Sequence, residues 1–170
     1  MNVLDASVSS RNSGLLIDTN LLVLYTVGSV NRSRIENFKR TCQYNVRDYG
    51  LLLRVIQKIT PLYTVAHVMA EVSNLIDLSG REQSLARHVL KEMLSILQEP
   101  EMPSVRAAHS SLYEHHGLAD TAIAAVALEY KCTVLTADLD LYIELTRQGI
   151  PAINFNRLRA HEWGLRADKG

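Results

Sequence analysis

Short apolar runs that end on a carboxylate recur along this chain, and between them apolar residues fall at helical spacing. Residues 14–17 read as a buried strand, Gly14-Leu15-Leu16-Ile17, closed by Asp18. Residues 20–27 then predict a short helix ending near Gly28, and 31–40 and 46–59 predict two more. In the second of these, Tyr49, Leu52, Leu53, Ile56 and Ile59 share one face. Residues 61–65 predict a strand and 66–78 a helix that stops before Gly80. Residues 81–98 form an amphipathic helix with Leu85, Val89, Met93, Ile96 and Leu97 expected inward, and Pro100 and Pro103 mark its exit. A helix over 104–114 is followed by an alanine-rich one over 119–130, suited to close packing. The pattern closes with a strand at 132–135, a helix at 139–148, a strand at 150–154 and a short helix at 156–160. Strands that alternate with helices predict the α/β class, with a central parallel sheet covered by helices on both faces.

Length and composition add bounds. The chain has 170 residues, of which 47% are hydrophobic and 21% charged, as for one domain with a sizeable core. The domain is expected over 14–160, between a polar N-terminal tail at 1–13 and a C-terminal tail at 161–170 that carries Trp163. No apolar stretch approaches the ~18 residues of a membrane span, and the N-terminus lacks the basic start and apolar block of a signal peptide. Cys42 and Cys132 lack metal-ligand spacing and are too few for a disulfide framework, which fits a reducing, cytoplasmic setting.

The formal net charge is zero, but it is unevenly spread. Residues 31–60 hold seven basic side chains (Arg32, Arg34, Lys39, Arg40, Arg47, Arg54, Lys58) against Glu36 and Asp48. Such a segment is either a face that tracks phosphates or a solvated helix surface.

Four acids stand out by position: Asp18 after the first strand, Glu71 and Asp120 in the first turns of helices, and Asp138 beyond the strand at 132–135. Ionised carboxylates beside core strands are costly to desolvate unless paired or bound to a cation. In parallel sheets ligands sit outside the carboxyl ends of the strands, where these four could meet. A cluster of carboxylates with open positions suits Mg2+ or Mn2+. Each acid has a blander explanation alone, as a helix cap or a first-turn acid favoured by the helix dipole. Capping does not explain why all four fall where an α/β crevice would collect them. His115 and His116 lie close to Asp120 in sequence and are expected at the surface or a helix end.

These pieces resemble the PIN domain family, and within it the small VapC-like toxin ribonucleases. The resemblance rests on Asp18-Thr19-Asn20, on Glu71 after Pro61-Leu62-Tyr63-Thr64, and on Gly117-Leu118-Ala119-Asp120-Thr121-Ala122-Ile123-Ala124. It continues through Leu135-Thr136-Ala137-Asp138-Leu139-Asp140 and Gly149-Ile150-Pro151-Ala152-Ile153-Asn154-Phe155. It implies a three-layer α/β/α fold and a Mg2+- or Mn2+-dependent endoribonuclease that leaves a 5′-phosphate and a 3′-hydroxyl. Asp18, Glu71, Asp120 and Asp138 would be the catalytic, metal-binding acids, with Asn20, Thr136 and Asp140 supporting them. Arg32, Arg34 and Arg40 are the candidate RNA contacts. The implied partners are the RNA substrate, an antitoxin protein of a type II toxin–antitoxin pair and a second copy of the chain; a membrane is not among them. One departure is the separation of Asp18 from Glu71, longer than in compact members and filled by the basic segment.

Two other readings compete. A non-catalytic PIN-like module that binds RNA or protein would be favoured by lost acids, and none is lost. A phosphohydrolase of the haloacid-dehalogenase type would need an Asp two residues after Asp18, where Asn20 stands, and a lysine in the later motifs.

Overall fold

The computed structural model describes residues 14–167. The element order is β1 (Leu15–Ile17), α1 (Thr19–Val30), a 3-10 segment (Arg32–Asn37), α2 (Val46–Lys58), β2 (Leu62–Tyr63), α3 (Ala66–Leu75) and α4 (Gly80–Ile96). There follow α5 (Ser104–Ala108), α6 (Tyr113–Tyr130), β3 (Thr133–Thr136), α7 (Leu139–Arg147), β4 (Ala152–Asn154) and α8 (Phe155–Ala167). The four strands pair in the order β2-β1-β3-β4, all parallel, and the helices complete a three-layer α/β/α fold.

β1 is fully buried at all three residues, because it lies inside the sheet with its neighbours on both edges. Leu15, Leu16 and Ile17 stand opposite Thr133, Val134 and Leu135 of β3. The chain leaves β1 for β2 on one side and has β3 on the other, so the strand order reverses direction at β1. The crevice of such a sheet opens at that point, outside the carboxyl ends of β1 and β3.

α1 is apolar almost all round, as a helix packed against α2, α3 and α4 must be. Its contact with α2 depends on Gly28. A Cβ there would fall 2.4 to 2.8 Å from ring atoms of Tyr49, which is buried and whose hydroxyl lies 3.0 Å from Ser29 Oγ. α2 opens on a capping box: the Asn45 side chain accepts from the Arg47 and Asp48 amides, and Asp48 Oδ2 accepts from the Asn45 amide. The other Asp48 oxygen lies 2.9 Å from Arg159 Nε, an ion pair without hydrogen-bond alignment that joins α2 to α8. The Arg159 guanidinium also sits over the rings of Tyr44 and Trp163.

The expected elements recur with four differences. The helix expected over 31–40 is the short 3-10 segment followed by turns, because short polar side chains compete for its carbonyls. Asn37 donates to Ser33 O and Thr41 to Ile35 O. The helix expected over 104–114 is broken between α5 and α6, where the Ser110 hydroxyl accepts from the Leu112 amide. On α4 only Ala86 and Met93 are buried, with Leu97 just beyond it; Leu85 and Ile96, expected inward, are exposed. The last helix runs to Ala167 and so covers much of the stretch expected as a tail. The expected N-terminal tail, 1–13, lies outside the described residues. Among those described, no helix is long and apolar enough to cross a membrane.

Two glycine substitutions of opposite sign test this packing. Gly28→Ala gains helix propensity of roughly 1 kcal/mol but forces a buried ring to shift, at a cost of about 1–3 kcal/mol. The net expectation is a lower melting temperature. Gly50→Ala meets only Arg54 Nη1 at 3.9 Å, so the propensity gain stands and the melting temperature rises. Thermal melts of both variants check the pair; a stabilised Gly28→Ala would contradict the fit of Tyr49.

Candidate metal centre

The strand order brings the segments after β1 and β3 together. Asp18 leaves β1 with its amide donating to Leu135 O at 3.0 Å, so the first residue past the strand is still tied to the neighbouring one. Its side chain caps α1: Oδ1 accepts from the Thr19 amide at 2.6 Å. Oδ2 accepts from the Thr136 hydroxyl at 2.7 Å. Thr136 Oγ1 in turn accepts from the Asp138 amide at 2.9 Å. Asp138 caps α7, with Oδ1 accepting from the amides of Asp140 and Leu141, and it lines the crevice. Across the crevice, Thr19 Oγ1 donates to Glu71 Oε2 at 2.8 Å, which links α1 to α3.

Asp120 arrives from α6 through a break in that helix. Gly117 has φ 75° and ψ −173°, a conformation that suits glycine, and the chain changes direction there before the helical run that carries Asp120. The Thr121 hydroxyl donates to Gly117 O and steadies the turn.

Asp18, Glu71, Asp120 and Asp138 thus line one cavity of about 310 Å³, with Thr19, Asn20, Leu75, Leu118 and His116 among the other walls. The acids differ in depth. Asp18 is buried and Asp120 half-buried, whereas Glu71 and Asp138 are exposed at the mouth. Among the described residues no group of three or more His, Cys, Asp or Glu side chains is placed to hold a metal ion as the side chains stand, so the four acids share one cavity without forming a preformed metal site. A larger cleft of about 420 Å³ is lined by Glu36, Asn45, Val46, Arg47 and Trp163, with one acid among them.

Burial is the main cause that raises the Asp18 carboxyl to about 6, with the Asp138 and Glu71 charges adding to it and its two hydrogen bonds opposing. Burial likewise raises Asp120 to about 7, and the charges of Asp18, Asp138 and Glu71 push the same way. Acids on opposite sides of the crevice therefore feel one another.

The other candidate residues fall in different places. Asn20 is exposed and lines the cavity, and Thr136 is buried between Asp18 and Asp138. Asp140 is exposed on the first turn of α7, does not line the cavity, and reaches the site only through its amide. None of Arg32, Arg34 and Arg40 lines it. Arg34 is paired with Glu82 at 2.7 Å, and Arg32 lies over the Tyr49 ring. Two contributors do not stand out in the sequence. Thr19 is readable as the neighbour of Asp18, but its bond to Glu71 depends on tertiary structure. His116, expected at the surface or a helix end, has a side chain only 15% exposed, and its Nδ1 lies 3.9 Å from Asp120 Oδ2. Its place directly before Gly117 and four residues before Asp120 is the available signal.

The raised carboxyl groups give a pH dependence of defined sign. The fold holds these protons to a higher pH than the unfolded chain does. The resulting stability is complete below about pH 4 and is lost as pH rises through about 6 to 7. The metal-free protein should melt at a lower temperature at pH 8 than at pH 5. Asp120→Asn should flatten that slope and raise the melting temperature at pH 8, by roughly 2–4 °C for each kcal/mol of repulsion removed. An Asp120→Asn variant with an unchanged slope would show that the acids do not strain the metal-free fold.

The family model of the PIN domain matches residues 47–143, more than half of the chain, and spans Glu71, Asp120 and Asp138 but not Asp18. No curated protein matches the chain significantly. PIN domains are in general nucleases that act on phosphodiester bonds and typically use divalent metals. With its parallel sheet and its acids gathered at the crevice, the chain belongs to the PIN domain family.

Proposed function

We propose that this protein is a divalent-metal-dependent endoribonuclease, a VapC-like toxin of a type II toxin–antitoxin pair acting on cytoplasmic RNA. The observation that carries the reading is the convergence of Asp18, Glu71, Asp120 and Asp138, from four separate segments, on one cavity. The donor set fits a hard cation. All four are oxygen ligands, and hydrogen bonds from Thr19, Thr136 and the α7 amides orient three of them. Burial is the main cause that raises the Asp18 and Asp120 carboxyls and the neighbouring acids add to it, a cost that a bound cation would offset. These four acids would hold Mg2+ or Mn2+.

When bound, such an ion supplies Lewis acidity toward water and toward a phosphoryl oxygen. The chain's own residues arrange the reactants. Thr136 and Thr19 hold Asp18 and Glu71 in place, and Asn20 offers an amide at the cavity wall to a water or a phosphate. Asp140 supports Asp138 through its amide. Hydrolysis joins the water oxygen to phosphorus and breaks the bond to the 3′-oxygen. One water hydrogen ends on the leaving oxygen, and the products carry a 5′-phosphate and a 3′-hydroxyl.

Exposed Leu85, Leu94 and Ile96 on α4 support a protein partner, an antitoxin or a second copy of the chain. Retention of all four acids supports catalysis over a module that only binds.

Purified protein incubated with total RNA and Mg2+ or Mn2+ should yield fragments with 5′-phosphates. Asp18→Asn and Asp120→Asn should lower the rate at least about a hundredfold while the fold is kept, within the reach of losing charge stabilisation at a reacting centre. Full activity in either variant would remove that acid from the site. Replacing Arg32, Arg34 and Arg40 together by Glu should weaken RNA binding and reduce its salt slope by about one for each phosphate the arginines engage. An unchanged slope would assign the basic segment to another surface.

A further inference from the structure

The outer edge of the sheet carries a second cleft, close to the acids but opposite in charge. β4 pairs with β3 alone, so among the described residues its other edge is open. A cavity of about 310 Å³ lies along that edge, walled by Tyr142 of α7, by Asn154, and by Arg157 and His161 of α8. Among the described residues no acid lines it.

Its position follows from the register. Asn154 stands opposite Thr136, one strand spacing of about 5 Å from the residue that holds Asp18. Tyr142 lies one turn past Asp138 on α7, with its amide bonded to Asp138 O. Asn156 Nδ2 donates to Ala137 O at 2.9 Å, which ties the start of α8 to the same loop. The cleft and the acid cavity therefore adjoin across the Asp138 loop.

Arg157 is placed for a partner outside the chain. The Asn154 side chain accepts from its amide at 3.1 Å and fixes the turn that carries it. Its guanidinium lies over the Tyr142 ring, 5.3 Å from the centroid. Arg34, Arg54, Arg106, Arg147 and Arg159 are each paired with an acid. Arg157 is exposed and, among the described residues, has no carboxylate at ion-pair distance.

We propose that this cleft is a subsite for the backbone of single-stranded RNA, in which Arg157 binds a phosphate next to the one held at the acids. This rests on the ribonuclease reading above. A guanidinium fork matches two phosphate oxygens, and the ring beneath it limits its freedom before the RNA arrives. The absence of acids from the walls suits a polyanion. A peptide strand added to β4 would meet an edge only three residues long that follows Pro151, which has no N–H.

Fluorescence anisotropy of labelled single-stranded oligouridine, titrated with the metal-free full chain over a range of salt, tests the subsite without cleavage. Arg157→Ala should weaken binding about tenfold, the lower end for a charge-assisted hydrogen bond, and reduce the salt slope by about one. Arg157→Lys should keep the slope, a result that a merely structural arginine would not give. Arg147→Ala, which removes an arginine already held by Glu144, should bind within about twofold of wild type. Unchanged affinity and slope in Arg157→Ala overturns this inference and leaves the open edge to a peptide; RNA cleavage by the wild type with Mg2+ or Mn2+ would then keep the nuclease reading. Weakened binding in Arg157→Ala, with no cleavage by the wild type under any metal, keeps the subsite and overturns the nuclease reading. No oligouridine binding by the wild type overturns the subsite.

Discussion

The Thr136 hydroxyl sits where the sheet changes direction, and the candidate site is organised through it. It donates to Asp18 and accepts from the Asp138 amide, so one oxygen fixes an acid after β1 and the loop after β3. That geometry exists only because β1 and β3 are parallel neighbours in register, with Ile17 opposite Leu135. A slip of one residue would turn Thr136 to the other face of the sheet. Asp18 then carries the order onward. Its carboxylate caps α1, which positions the Thr19 hydroxyl to hold Glu71. Two threonines thus tie three of the four acids into one hydrogen-bonded chain.

The same arrangement explains why the site is open. A buried carboxylate is tolerated when donors satisfy it, and Asp18 has a hydroxyl and an amide. Asp120 has no comparable donor at bonding distance among the described residues, which agrees with its larger upward displacement despite lesser burial. Glu71 and Asp138 remain in contact with water. The acids are oriented from behind by the fold and left unmatched in front. Stability alone would favour neutral residues at the two deeper positions, so their retention fits a site that holds positive charge.

Much of the fold is legible in the sequence because its elements are locally consistent. β1 is an unbroken apolar run between a glycine and an acid, and α2 carries its own capping box and a single apolar face. Asp18 and Asp138 stand out because each follows a strand, where a crevice forms in parallel sheets, whereas Glu71 lies within α3 and Asp120 within α6. What local patterns do not carry is information held by neighbours. Leu85 and Ile96 have the periodicity of buried positions, but α4 packs through a narrow stripe around Ala86 and Met93 that spacing alone does not select. The breaks at 38–45 and 109–112 come from serine, threonine and asparagine side chains that capture backbone groups, a competition that apolar periodicity does not register. His116 looks superficial in the sequence because the alanine-rich helix is expected to begin after it. The Gly117 turn, visible only in φ and ψ, folds it inward.

Charge is the least transferable part of the sequence reading. The excess of basic residues between 31 and 60 is real as a count, yet a count does not distinguish free charge from charge already matched. Glu82, almost fifty residues downstream, takes Arg34, and Glu162 takes Arg54 from the far end of the chain. Tyr49 lies beneath Arg32. The acids of later segments thus answer part of the basic surplus, as the zero net charge allows. A polyanion would have to compete with these contacts or use the cations they leave free, and exposed pairs of this kind are weak enough for such exchange. The long insertion between Asp18 and Glu71 is therefore a packed part of the domain, since α2 closes over α1 through Tyr49 and Gly28. Its arginines can guide a substrate only from a surface whose geometry the core already dictates.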